Sequence, residues 1–93
     1  MQVKIKRQFF RDIRKINDAK INDEVLNIIS VAERAEHLKA INNLKKLRKY
    51  KEHYRIKIKL DERRDYRIGL SIRTNTIIFK RILHRRKIYE EFP

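Results

Sequence analysis

The chain has 93 residues and a formal net charge of +14, from 26 Lys and Arg against 12 Asp and Glu. That length suits one domain, residues 1–93, with a single modest core. The absence of cysteine excludes disulfides and thiolate metal sites, no apolar run approaches the roughly 18 residues of a membrane span, and the N-terminus Met-Gln-Val-Lys-Ile-Lys-Arg lacks a signal-peptide core, so a cytoplasmic protein with no membrane partner is expected.

In chain order, residues 2–7 alternate Val3 and Ile5 with Lys4 and Lys6 and read as a short strand. From residue 8 the spacing changes. Phe9, Ile13 and Ile16 fall at i, i+4, i+7, and Ile21, Val25, Ile28, Ile29 and Ala32 continue the pattern, giving two amphipathic helices. Asp18, between them, suits the N-cap of the second, where its carboxylate can accept from first-turn amides. Leu38, Ile41, Leu44 and Leu47 recur every third residue, which predicts a short, tight helical turn leading into a basic loop, Lys45 to Lys51.

Beyond that loop the period is two. His53-Tyr-Arg-Ile-Lys-Ile-Lys-Leu60 sets Tyr54, Ile56, Ile58 and Leu60 against His53, Arg55, Lys57 and Lys59, and residues 65–73 set Tyr66, Ile68, Leu70 and Ile72 against Arg67, Gly69, Ser71 and Arg73. Asp61-Glu-Arg-Arg64 is the turn between these strands, without glycine and longer than a two-residue hairpin loop. After a Thr74-Asn75 turn, Ile77, Ile78, Phe79, Ile82 and Leu83 occupy both faces of a fourth strand, the mark of a central position. The expected architecture is α+β: a helix pair on one face of a twisted, mainly antiparallel four-stranded sheet, with the other face basic and open.

Charge narrows the function. Residues 45–89 hold 17 of the 26 cations and only Glu52, Asp61, Glu62 and Asp65 as acids, so +13 of the +14 lies there. A field of that strength attracts polyanions, nucleic acid first and an anionic membrane surface a weaker second, since the charges lie mainly on strand patterns and not on an amphipathic helix. His37, His53 and His84 lack metal-ligand spacing, Ser30 and Ser71 lack a nucleophile-elbow context, and there is no P-loop; no metal or small-molecule cofactor is expected. A cationic cluster can nevertheless cut RNA. It must align the 2′-hydroxyl on its own 3′-phosphate, remove the hydroxyl proton, stabilise the charge on the phosphorane and protonate the leaving 5′-oxygen. A lysine crowded by other cations gives up its proton more readily, and arginine offers bidentate donors to phosphate.

The segments "FFRDIRKI", "KKLRKYKEHYRIKI", "RRDYRIGL" and "IIFKRILHRRKIYEEFP" resemble, in order and spacing, the RelE/ParE superfamily of toxins from type II toxin–antitoxin systems, over essentially the whole chain. The resemblance implies a RelE-like mRNA interferase, an endoribonuclease that cuts message in the ribosomal A site and inhibits translation. It implies Lys57 as general base, Arg67 on the scissile phosphate, Arg85 at the leaving group with Arg86 as the neighbouring alternative, and Tyr89 stacked on the nucleobase. Arg55 and Lys59, with Lys45 and Lys46 of the loop, are expected to continue the phosphate-binding surface, the alternative being a solvated strand face and a solubilising loop. Implied partners are a cognate antitoxin, mRNA and the ribosome, and operator DNA through the toxin–antitoxin complex, in a bacterial or archaeal cytoplasm. The same superfamily includes ParE-like inhibitors of DNA gyrase, and a non-catalytic RNA-binding protein is a third reading. The chain departs from its relatives in the long turn after Leu60 and in stopping after the Tyr89 motif without a further helix. Tyr89 fits either a core or a site position. Gly69 fits either a close approach to the sheet or a twist-inducing bulge.

Overall fold

The computed structural model describes residues 1–93. The first alternating segment is β1 (Gln2–Ile5), followed directly by α1 (Arg7–Ile16) and α2 (Ala19–Arg34). Asn17 ends α1 in the left-handed region at φ 49°. The Asp18 carboxylate then caps α2, accepting from the amides of Lys20 at 2.9 Å and Ile21 at 3.2 Å, two of the donors a helix start leaves unpaired.

Past a 3-10 turn at Leu38–Ala40 come β2 (Leu44–Lys46), β3 (His53–Lys59), β4 (Asp65–Arg73), β5 (Thr76–His84) and α3 (Arg85–Glu91). The sheet order is β1-β5-β4-β3-β2. β1 runs parallel to β5, and the other pairs are antiparallel. Phe9, Ile21 and Val25 of the helices meet Ile56, Ile68, Leu70, Ile77, Phe79 and Ile82 of the sheet in one buried cluster, with Phe9 edge-on to Phe79 at 5.7 Å.

The α+β architecture is as expected, and three details differ. The sheet has five strands rather than four, because Leu44–Lys46 is a strand and not the end of a helical turn. The three-residue period fits a 3-10 turn only through Ile41; Asn43, at φ 64°, then reverses the chain and lets Leu44 pair with Ile56. β5 is internal, as its apolar character requires. Its spacing carries a register shift opposite Gly69/Leu70, which returns Ile77, Phe79 and Ile82 to the same face. The tail forms a helix, where none was expected: His84 caps it by accepting from the Arg86 amide at 3.3 Å, and Ile88 and Phe92, one turn apart, are both buried.

α3 packs on β4 and β5 and explains Gly69. A Cβ at that position would lie 2.6 Å from Cγ of Phe92, so the glycine admits the chain's own C-terminal ring. The ring of His53 meets the same Phe92 edge-on at 5.5 Å. Arg81 ties this cover to the opposite layer. It donates to the buried Asp12 of α1 at 2.9 and 3.2 Å and lies 4.0 Å from Glu91 of α3.

Candidate functional site

Pairing register assembles the cationic face. Lys57 stands directly opposite Arg67, Arg55 opposite Gly69, and Lys59 opposite Asp65, with Cα separations of about 4.5–5.5 Å for such pairs. The long turn after Leu60 does not disturb this. The Leu60 amide donates to the Arg64 carbonyl at 2.9 Å, and Asp61 accepts from the amides of Arg63 and Arg64 and from Nε of Arg64 at 2.8 to 3.0 Å. Arg64 also reaches Asp18 at 3.4 Å, which anchors the turn to the helix layer. The aspartate-centred turn therefore does the work of the missing glycine.

On the other side of β3, Lys45 pairs with Arg55, and these two with Lys57 line an open concavity beside Asn43 and Leu44. Lys46 pairs with Tyr54 and so has the opposite parity, on the side of the sheet away from Arg55. The structure brings Lys45, Arg55, Lys57 and Arg67 onto one face and separates Lys46 from them.

Asp65 organises the arginines, and the sequence reading missed that role. Its carboxylate is almost fully buried, pairs closely with Nη1 of Arg67 and forms an ion pair with Arg85, whose Nε lies 3.5 Å away. Arg67 Nη1 also donates to the Tyr66 carbonyl at 3.2 Å, while its Nε is buried without a partner. Burial pushes the Asp65 carboxyl up, but the hydrogen bond from Arg67 and the charges of Arg67, Arg85 and Lys59 outweigh it and hold the group below the usual carboxylate range. The available signal was spacing: Asp65 and Arg67 at i and i+2 share one strand face.

Arg85 opens α3 with its side chain half exposed, and it is the arginine that shares Asp65 with Arg67. Arg86 is exposed and contributes its amide to the His84 cap. Tyr89 follows Arg85 at i+4, on the same stripe of the helix. It is 58% exposed, so it is no core residue. Tyr66 and His84 meet edge-on at 5.7 Å beneath this corner. No three His, Asp or Glu side chains converge as a metal-binding group, and no helix is long and apolar enough to cross a membrane.

No family model matches the chain. A relative, toxin RelE3 from Methanocaldococcus jannaschii, is 32% identical over 94 aligned residues, which cover all of both chains. Among solved structures, a chain of the RelB–RelE antitoxin–toxin complex from Methanococcus jannaschii is 31% identical, with TM-score 0.77 and coverage of 97% of this chain and 99% of that one. YafQ from E. coli, at 13% identity, TM-score 0.63 and coverage of 95% and 97%, shares the fold. The fold, the ordered motifs and full-length identity to a named relative agree: the chain belongs to the RelE family of toxins.

Proposed function

We propose that the chain is the toxin of a type II toxin–antitoxin pair and acts as an endoribonuclease on ribosome-bound message. One observation carries the reading: Lys57 lies directly across the strand pair from Arg67, and Arg67 and Arg85 share one buried carboxylate. A phosphate lying on this corner meets a lysine and two arginines from three different elements. The Lys57 amine accepts the 2′-hydroxyl proton as that oxygen attacks the adjacent phosphorus. Arg67 and Arg85 neutralise the equatorial and leaving oxygens; arginine keeps its proton, so Arg85 acts by charge and hydrogen bonding while the departing 5′-oxygen takes its proton from water. Arg55, Lys45 and Lys59 hold flanking phosphates, and Tyr89 stacks on a base.

The partner in this proposal is an acidic antitoxin. A segment carrying +13 repels itself and binds polyanions indiscriminately unless covered, and the 31% identical neighbour occurs in a complex of antitoxin and toxin. The complex binds operator DNA in the same scheme.

In vitro translation followed by primer extension tests the reading. New 5′ ends within ribosome-bound message, absent with Lys57→Ala, Arg67→Ala and Arg85→Ala, are the expected result. Intact message together with gyrase-trapped DNA breaks would replace it with the gyrase reading.

A further inference from the structure

Four large apolar side chains are left exposed: Phe10, Leu26, Tyr50 and Tyr89. Two of these, Tyr50 and Tyr89, come from separate segments to line one cavity of about 320 Å³, together with Leu47, Arg48, Lys49 and Phe92. That volume lies at the small end of ligand pockets, roughly 300–1,000 Å³. The lining combines exposed aromatic faces with two adjacent cations and no carboxylate. Flat rings beside positive charge suit an unpaired base attached to phosphates.

The back of the cavity is built from edge-on contacts between rings. Tyr50 meets His53 edge-on at 6.2 Å, and His53 meets Phe92 edge-on at 5.5 Å. His53 Nδ1 lies 2.9 Å from the Lys51 carbonyl, and Phe92 is seated on Gly69. The ring series therefore orients Tyr50 from below while leaving it half exposed. Tyr89 stands one helical turn from Arg85, with Cβ atoms about 5–6 Å apart at such spacing, so the cavity adjoins the cationic corner.

We propose that Tyr50, on the 47–50 loop, is a second stacking residue for the unpaired base of single-stranded RNA already given to Tyr89, with Arg48 and Lys49 taking the phosphates beside it. The proposal rests on the RNA reading above and extends it to the 47–50 loop. Nucleotides flanking the scissile bond are then gripped by a loop and a helix that contribute nothing to proton transfer.

The test uses short single-stranded RNAs with 2′-O-methyl throughout, so that binding is measured without cleavage, and with 2-aminopurine moved in turn through each position. The full-length protein and Tyr50→Phe should quench the fluorophore strongly at one position. Tyr50→Ala should lose that quench and bind about tenfold more weakly, from the stacking of a single base. Arg48→Ala and Lys49→Ala should each flatten the slope of log affinity against log salt by about 0.7. Equal quench and affinity for Tyr50→Ala and the parent protein would overturn the subsite, as would no binding of RNA at all. Failure of the subsite and failure of the nuclease reading are separable: cleaved message with a neutral Tyr50→Ala refutes only the subsite, whereas specific quenching with uncut message refutes only the nuclease.

Discussion

Asp65 holds Arg67 and Arg85 against their mutual repulsion and fixes where their remaining donors point. Asp65→Asn keeps the shape and removes the charge, so the two guanidiniums lose their common anchor. Misplacing a phosphate-holding group by even 1 Å can cost about 100-fold, and a loss of that order in message cleavage, with unchanged far-UV circular dichroism, is the expected outcome. Unchanged or faster cleavage would mean that Asp65 competes with the phosphate instead of aligning its ligands. Asp12 is the structural counterpart. Burial raises the Asp12 carboxyl, but hydrogen bonds from Arg81, the Ile82 amide and Gln8 outweigh it and hold the group low. Both Asp12 and Asp65 therefore bind protons more weakly folded than unfolded, where an aspartate titrates near about 3.9. Their stabilisation is present above about pH 4 and lost as pH falls through the lower folded values. Urea midpoints should drop on acidification below that pH, and Asp12→Asn should flatten the dependence. Asp12→Ala at neutral pH leaves Arg81 without its partner and should cost about 3 kcal/mol in urea unfolding.

Among the elements, α3 decides the shape of the site. It supplies Arg85 and Tyr89 on one stripe and seats Ile88 and Phe92 on the sheet. Gly69→Ala puts a methyl where the Phe92 ring lies, 2.6 Å from its Cγ, and should destabilise the protein by about 1–3 kcal/mol. Adding Phe92→Ala should remove part of that penalty, so a double-mutant cycle by urea unfolding should show coupling; additive effects would mean that the ring has another seat. The cationic rows were legible because strand parity is strict: Arg55, Lys57 and Arg67 share a face in any register that buries Ile56 and Ile68. The α1/α2 cap was legible in Asp18. The helix at 85–91 was not, because its basic first turn, Arg85-Arg-Lys87, shows no apolar period and only Ile88 and Phe92 mark its buried side. Gly69 left a close approach and a bulge both open; a register shift does fall at Gly69/Leu70, and the group that approaches is the Phe92 ring. Tyr50 was hidden in a loop with no period at all.

For the whole molecule, concentrating +13 of the +14 charge in residues 45–89 makes affinity a matter of counterion release. If four phosphates are neutralised along Lys45, Arg55, Lys57 and Arg67, these contribute about −3 to the slope of log affinity for single-stranded RNA against log salt, beside what Arg48 and Lys49 add. Lys46→Ala, on the other side of the sheet by its pairing with Tyr54, should leave that slope unchanged, whereas Lys45→Ala should reduce it. The apolar layer formed by α1 and α2 with the sheet backs the strands β3 and β4, on which Lys57 stands opposite Arg67. In the proposed reaction this face cuts RNA by turning the substrate's own 2′-hydroxyl on its phosphate. Replacing that single hydroxyl with 2′-O-methyl at the scissile nucleotide of a translated message tests it most directly. Unmodified message should yield fragments ending in a 2′,3′-cyclic phosphate, and the modified message should stay whole at that position. Cleavage that persists at the modified nucleotide would contradict it.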